Sequence, residues 1–168
     1  MPCSCRAGRE LADAEAEEID RRAGEVYSEL NTDPRPLPGV GDVLLALDRA
    51  GFTWAIATSS RAEQVMASVD ALQLPRRPHI TDGSHVEHAK PAPDLLLHAA
   101  QELGLAPAEC WYVGDAVWDV MSARAAGMPC LAIATGSASA EELERAGATA
   151  LASFADLLHE LRRRGLLG

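Results

Sequence analysis

From Val40 onward, apolar and polar positions alternate between two periods. Val43, Leu44 and Leu47 share one helical face within Val40 to Ala50, and Gly51 stops that helix. Phe52 to Thr58 is a short apolar run that reads as a strand and leaves through Thr58-Ser59-Ser60. A helix over Ala62 to Leu72 and a weak strand at His79-Ile80-Thr81 follow, with a turn at Asp82-Gly83. Pro93 to Leu103 is helical, with proline at its start and Gly104 past its end. Cys110 to Val113 has the unbroken apolar character of a buried strand, and Val117 to Ala126 is a helix ended by Gly127. Cys130 to Ala134 is a further strand. Helices at Glu141 to Ala146 and Phe154 to Arg163 enclose a short strand near Ala148 to Leu151. Strand and helix alternate throughout, which predicts an α/β fold: a Rossmann-like parallel sheet with helices on both faces. Ligands of such sheets bind at the carboxyl ends of the strands.

The first 35 residues differ. Arg9 to Leu30 is rich in Ala, Glu and Arg, and reads as one or two charged helices with Gly24 as a candidate break. Asn31 to Pro38 contains Asp33-Pro34-Arg35-Pro36-Leu37-Pro38, which cannot be helical in its interior. The expected division is a charged helical segment with its linker at 1–35 and an α/β core at 36–168.

Composition narrows the function. The chain has 168 residues, 48% hydrophobic and 24% charged, enough for one domain with a core. A formal charge of −10 argues against nucleic acid and anionic membrane as partners, and means that any anion site is local. No apolar run approaches a membrane span, and Met1 to Glu10 lacks the apolar stretch of a signal peptide, so the expected location is the cytoplasm. The four cysteines make no disulfide framework: Cys110 and Cys130 read as buried thiols, and Cys3-x-Cys5 lacks further metal ligands nearby. His79, His85, His88, His98 and His159 form no evident metal set, and His85 and His88 read as surface residues of a polar loop. No G-x-S-x-G or phosphate-loop pattern is present.

Three places can carry chemistry. Asp115 follows an apolar strand and a glycine, with Asp119 one helical turn on, so the two carboxylates lie on one side. Such a pair repels unless a cation sits between them, and oxygen-only ligation suits Mg²⁺. An acidic helix N-terminus is the plainer reading. Thr58 and Ser59, between a strand and a helix, make either an anion cradle or an ordinary helix cap. Lys90 stands in Ala89-Lys90-Pro91-Ala92-Pro93-Asp94, whose prolines hold the segment extended. It is either a solvated surface lysine or a counter-charge for phosphate. It is the chain's only lysine; the other fourteen basic residues are arginines, which favours a specific role.

Taken in order, strand–Thr58-Ser59, Lys90-Pro91-x-Pro93-Asp94 and Val113-Gly114-Asp115-x-x-x-Asp119, followed by Ala123-Arg124-Ala125-Ala126-Gly127-Met128, resemble the haloacid dehalogenase (HAD) superfamily, and its phosphoglycolate phosphatase-like branch in particular. The match runs from Leu37 to about Arg163. The resemblance implies Mg²⁺-dependent hydrolysis of a small phosphorylated metabolite through an aspartyl-phosphate. By it, Thr58 and Ser59 would bind the transferring phosphate, Lys90 would offset charge, Asp115 would bind Mg²⁺, and Asp119 would hold the metal or its waters. The family's opening motif, an apolar strand followed by Asp-x-Asp-Gly-Thr, has no counterpart. Asp13-Ala14-Glu15 comes nearest, but no apolar strand leads into it and no Gly-Thr follows. Residues before Pro34 resemble the last helix of the family's helical cap, so the expected structure is a HAD-like core lacking its first central strand, with a cap remnant in front. Mg²⁺ should then bind weakly. The strands at Thr53–Thr58 and Cys110–Val113 should either pair directly or leave a slot of unpaired backbone groups. Three readings follow: a phosphatase whose natural chain starts upstream, with the 168 residues inactive alone; a non-catalytic pseudo-phosphatase acting as a binding or regulatory module, a homodimer or one completed by a strand-donating partner; and an unrelated receiver- or flavodoxin-type domain.

Overall fold

The computed structural model of the chain describes residues 13–167. Cys3, Cys5 and the expected helix start at Arg9 lie outside them.

Helix α1 spans Asp13–Leu30 without interruption. The expected break at Gly24 does not occur. The glycine lies beside the flexible end of the Gln64 side chain of the third helix, which would have to shift to admit a Cβ. The nearest approach to a nucleophile motif, at Asp13, opens this helix and lies at no strand tip. After the proline-rich linker come α2 (Val40–Arg49), β1 (Ala55–Ala57), α3 (Ala62–Ala71) and β2 (His79–Thr81). Next are α4 (Asp94–Glu102), β3 (Tyr112–Gly114), α5 (Val117–Ala126), β4 (Cys130–Ile133), α6 (Ala140–Ala146), β5 (Thr149–Leu151) and α7 (Phe154–Arg163).

All strand pairs are parallel, but the strands form two sheets, β2-β1 and β3-β4-β5. Of the two expected arrangements, direct pairing or a gap, the described strands show the gap. Among the described residues no strand pairs with the outer edge of β1 or with that of β3. Helices bridge the gap on one face, where Leu96 and Ala100 of α4 pack with Ala123 and Ala126 of α5, against Ala57 of β1 and Tyr112 of β3.

β4 forms the centre of the core. Leu131 and Ile133 point to one face, with Val43 of α2 and Leu157 and Leu161 of α7. Ala132 points to the other, with Val120 of α5 and Leu143 of α6. This two-residue alternation, buried on both faces, is what a central parallel strand requires.

The edge strand β3 departs from the buried-strand expectation. Val113 shares the face of its partner Leu131, yet it is 39% exposed, on an edge that no strand pairs among the described residues. On the α2–α3–α7 side a cleft of about 280 Å³ is lined by Leu37, Val40, Ile56, Val69, Leu72 and Phe154.

Candidate functional site

The residues of interest gather at the carboxyl end of β3. Gly114 ends the strand, Asp115 lies exposed at its tip, and α5 starts two residues later. Asp119 is the third residue of α5, where a carboxylate can satisfy backbone N–H groups that lack helical partners. Its Oδ2 accepts from the N–H groups of Asp115 and Ala116, both at 3.1 Å. Its side chain crosses directly over Gly114, where a Cβ would stand 2.5 Å from the Asp119 Cβ and 2.7 Å from its Oδ2. Glycine before Asp115 is therefore a requirement of close approach.

The other oxygen of Asp119 meets Lys90. Nζ donates to Oδ1 at 2.7 Å, and the Tyr112 hydroxyl donates to the same oxygen at 3.1 Å. Lys90 also donates to the Tyr112 hydroxyl at 3.1 Å. The ion pair is largely buried, with the Lys90 and Asp119 side chains 16% and 9% exposed. Lys90 is thus no solvated surface lysine.

The segment that carries Lys90 is pinned at several points. The buried Ser122 of α5 donates to the Ala92 carbonyl at 2.8 Å. Asp94 accepts from the backbone N–H of His88 at 3.1 Å and pairs with its Nδ1 at 3.0 Å. His88 is therefore not a plain surface residue: it closes the loop around Lys90. Tyr112, Ser122 and the His88–Asp94 clasp were missed from sequence. The one available signal was that Ser122 falls one helical turn after Asp119, on the same side of α5.

Electrostatics separate the two aspartates. Burial pushes the Asp119 carboxyl up, but Lys90 through hydrogen bond and charge, together with the Asp115 N–H and the Tyr112 hydroxyl, holds it below the usual range. Partial burial, then the Asp119 charge, pushes the Asp115 carboxyl up, with Lys90 opposing. Burial and the neighbouring Asp119 charge raise Tyr112 well above an ordinary phenol, so it stays a protonated donor. Burial also lifts the Cys130 thiol to about 12, which leaves it inert.

Thr58 and Ser59 lie in the other half-sheet. The Thr58 N–H donates to the Thr81 carbonyl at 2.9 Å, extending the β1–β2 ladder, and its Oγ1 accepts from the Ser60 N–H at 3.2 Å. The loop after β2 presses on this tip: a Cβ at Gly83 would lie 2.6 Å from the Ser59 carbonyl oxygen. Asp82, at the tip of β2, accepts from the Ala62 N–H at 2.8 Å and from Ser84. It holds the start of α3 and of the short 3-10 turn Gly83–His85, and is not poised as a nucleophile. The structure brings Lys90, Asp115 and Asp119 together. No hydrogen bond among the described residues joins Thr58 or Ser59 to them.

As a Mg²⁺ site the described residues do not suffice. The two Asp119 oxygens already accept four hydrogen bonds, which leaves Asp115 as the carboxylate at the strand tip. Among the described residues no group of three His, Cys, Asp or Glu side chains is placed to hold an ion. None of the described helices is long and apolar enough to cross a membrane.

Solved structures share the fold. A crystal structure of a hydrolase from Pseudomonas syringae superposes with a TM-score of 0.87 at 33% identity, over 93% of this chain and 74% of that one. CbbY from Rhodobacter sphaeroides, crystallised with phosphate, gives 0.74 at 29% identity, over 90% and 70%. Hexitol phosphatase A of Escherichia coli (strain K12) is 40% identical over 97 residues, 58% of this chain and 45% of that protein. Phosphoglycolate phosphatase of Xylella fastidiosa (strain Temecula1) is 37% identical over 109 residues, 64% and 48%. The chain spans about half the length of the curated relatives it matches. The family model for haloacid dehalogenase-like hydrolases matches residues 5–127. With sequence and fold in agreement, the chain belongs to the haloacid dehalogenase-like hydrolase family.

Proposed function

We propose that this chain carries the electrostatic part of a phosphate-monoester hydrolase site and that the attacking carboxylate is not among its described residues. The observation that carries this reading is the buried Lys90–Asp119 pair at the carboxyl end of β3, next to β1 and β3 edges that no strand pairs among the described residues. Phosphoryl transfer asks the protein chiefly for positioning and charge stabilisation. In this reading the Thr58 hydroxyl and the Ser59 N–H bind phosphate oxygens, and Lys90 neutralises charge as it builds. Asp115 would hold a Mg²⁺ ion whose remaining ligands would come from outside the described residues, and the ion would supply Lewis-acid charge. Asp119 serves Lys90 rather than the metal. The substrate is a small phosphorylated metabolite. Phosphoglycolate and hexitol phosphates are the first to try, because similar proteins carry those names. Residues 1–35 act as a separate unit, and their described part, from residue 13, leans on the core through α3, where Asn31 donates to Ser68 Oγ at 2.9 Å.

The test is Mg²⁺-dependent turnover of p-nitrophenyl phosphate by the 168-residue chain and by the same chain extended with an apolar strand ending in Asp-x-Asp-Gly-Thr. The chain alone is expected to show no turnover. The extended form should show turnover that Lys90→Met abolishes. Turnover by the chain alone that Asp115→Asn removes would overturn the assignment of the nucleophile. A folded but inactive extended form that still binds phosphate would favour a non-catalytic binding module.

A further inference from the structure

Tyr112 takes no part in the family motifs quoted above, yet it touches both charged groups of the site. The directions of its hydrogen bonds are forced. An ammonium only donates and an ionised carboxylate only accepts, so the phenol must accept from Lys90 and donate to Asp119. Lys90 Nζ, Tyr112 Oη and Asp119 Oδ1 then form a closed triangle with sides of 2.7, 3.1 and 3.1 Å. The phenol ring cannot swing away, because it packs on the α4–α5 cluster that contains Leu96 and Ala123. Asp119 is held in turn by two backbone N–H groups. Each corner of the triangle is therefore fixed by a different part of the fold.

A lysine ammonium has three hydrogens. Two are engaged here, and the 16% exposure of the side chain shows that part of it still reaches the surface. We propose that Tyr112 is a positioning residue for Lys90: with Asp119 it holds two ammonium hydrogens, so that the third is aimed out of the carboxyl edge of the sheet toward a bound phosphate oxygen. Asp119 alone would leave the ammonium free to turn about the Nζ–Oδ1 line, and the phenol removes that freedom. The part concerning phosphate rests on the reading under Proposed function; the anchoring itself does not.

Because Lys90 is the only lysine in the chain, labelling lysine with ¹³C at Cε and ¹⁵N at Nζ gives a single reporter for the site. The experiment compares the full chain with Tyr112→Phe, which keeps the ring and deletes the hydroxyl. In the unmodified chain the Nζ protons should exchange slowly enough to give a cross-peak. Inorganic phosphate should shift that peak. Tyr112→Phe should lose the cross-peak while its backbone amide spectrum stays the same, and should bind phosphate about tenfold more weakly, the loss expected for one hydrogen bond to a charged group. An unchanged lysine signal and phosphate affinity in Tyr112→Phe would overturn the proposal. Fast exchange of the Nζ protons in the unmodified chain would overturn it without any variant, which covers the case in which Tyr112→Phe does not fold. If the signal responds to Tyr112→Phe but phosphate leaves it unmoved, the anchoring stands and the phosphate-site reading fails.

Discussion

Asp119→Asn removes one charge from the site and almost nothing from its shape. Two unit charges 2.7 Å apart attract by about 6 kcal/mol at an effective dielectric of about 20, and desolvation of both groups returns much of that. Breaking such a pair from one side leaves Lys90 largely buried without its counter-charge, which costs about 3–5 kcal/mol when nothing compensates. Asparagine can still accept part of the hydrogen bonding, so a loss of about 3 kcal/mol is expected, a large share of the about 5–15 kcal/mol that holds a domain together. With a urea slope of about 2 kcal/mol/M, the midpoint should fall by about 1.5 M, read by circular dichroism at pH 7. Lys90→Met with Asp119→Asn should recover part of the loss, since the stranded cation is then gone. The pH dependence gives a second check. The Asp119 carboxyl lies below its unfolded value, so its contribution is complete above about pH 4 and is lost as pH falls through the lowered folded value. The gap between the two proteins must therefore narrow in acid. A midpoint shift below about 0.3 M, or a gap equally wide at pH 3 and pH 7, would refute the view that this ion pair supports the fold.

The other aspartate predicts the opposite sign. The Asp115 carboxyl is raised in the folded state, so its charge opposes folding above about pH 4, and Asp115→Asn should stabilise the chain at pH 7 by about a few tenths of a kcal/mol, given its exposure, with no gain in acid. A loss of stability at pH 7 would show that Asp115 is held by something more than its repulsion from Asp119. Gly83→Ala should cost about 1–3 kcal/mol in urea melts, because the new methyl meets the backbone carbonyl of Ser59; Gly41→Ala, with open space around it inside α2, should be neutral or stabilising. Equal effects at the two glycines would remove the steric argument. Val113→Lys should cut self-association measured by light scattering, with stability changed by less than about 0.5 kcal/mol, because it places a charge on an exposed apolar edge strand. Unchanged scattering would mean that the β3 edge is not the sticky surface.

Much of the fold was legible because its signals are local. The helices at Ala62, Val117 and Phe154 and the strand at Cys130 declare themselves through period and flanking glycine or proline, and each stands within a residue or two of its expected place. The split of the sheet was foreseen as one of two outcomes. The choice between them depended on how α4 and α5 bridge the halves, which no local pattern encodes. Gly24 misled because a glycine inside a helix looks the same in sequence whether or not the helix breaks there. Lys90, Asp115 and Asp119 were legible as residue types at a strand end and a loop. That Asp119 holds Lys90 was not, because 29 residues separate the partners. Tyr112 passed as one more strand aromatic, since its hydroxyl has meaning only once both charges are placed beside it.

The divided sheet also sets how this molecule should breathe. The deeply buried side chains cluster around β4, while no residue of β1 is fully buried and β2 contributes only Thr81. The limb from Gly51 to Asp82 therefore rests on a thin share of the core and is expected to open in hydrogen exchange ahead of the β3–β4–β5 half. Thr58 and Ser59 ride on that limb; Lys90 and both aspartates are fastened to the other. An anion held by both groups would act as a clasp across the seam, and its binding would be felt most in the amide protection of a limb whose backbone it barely touches.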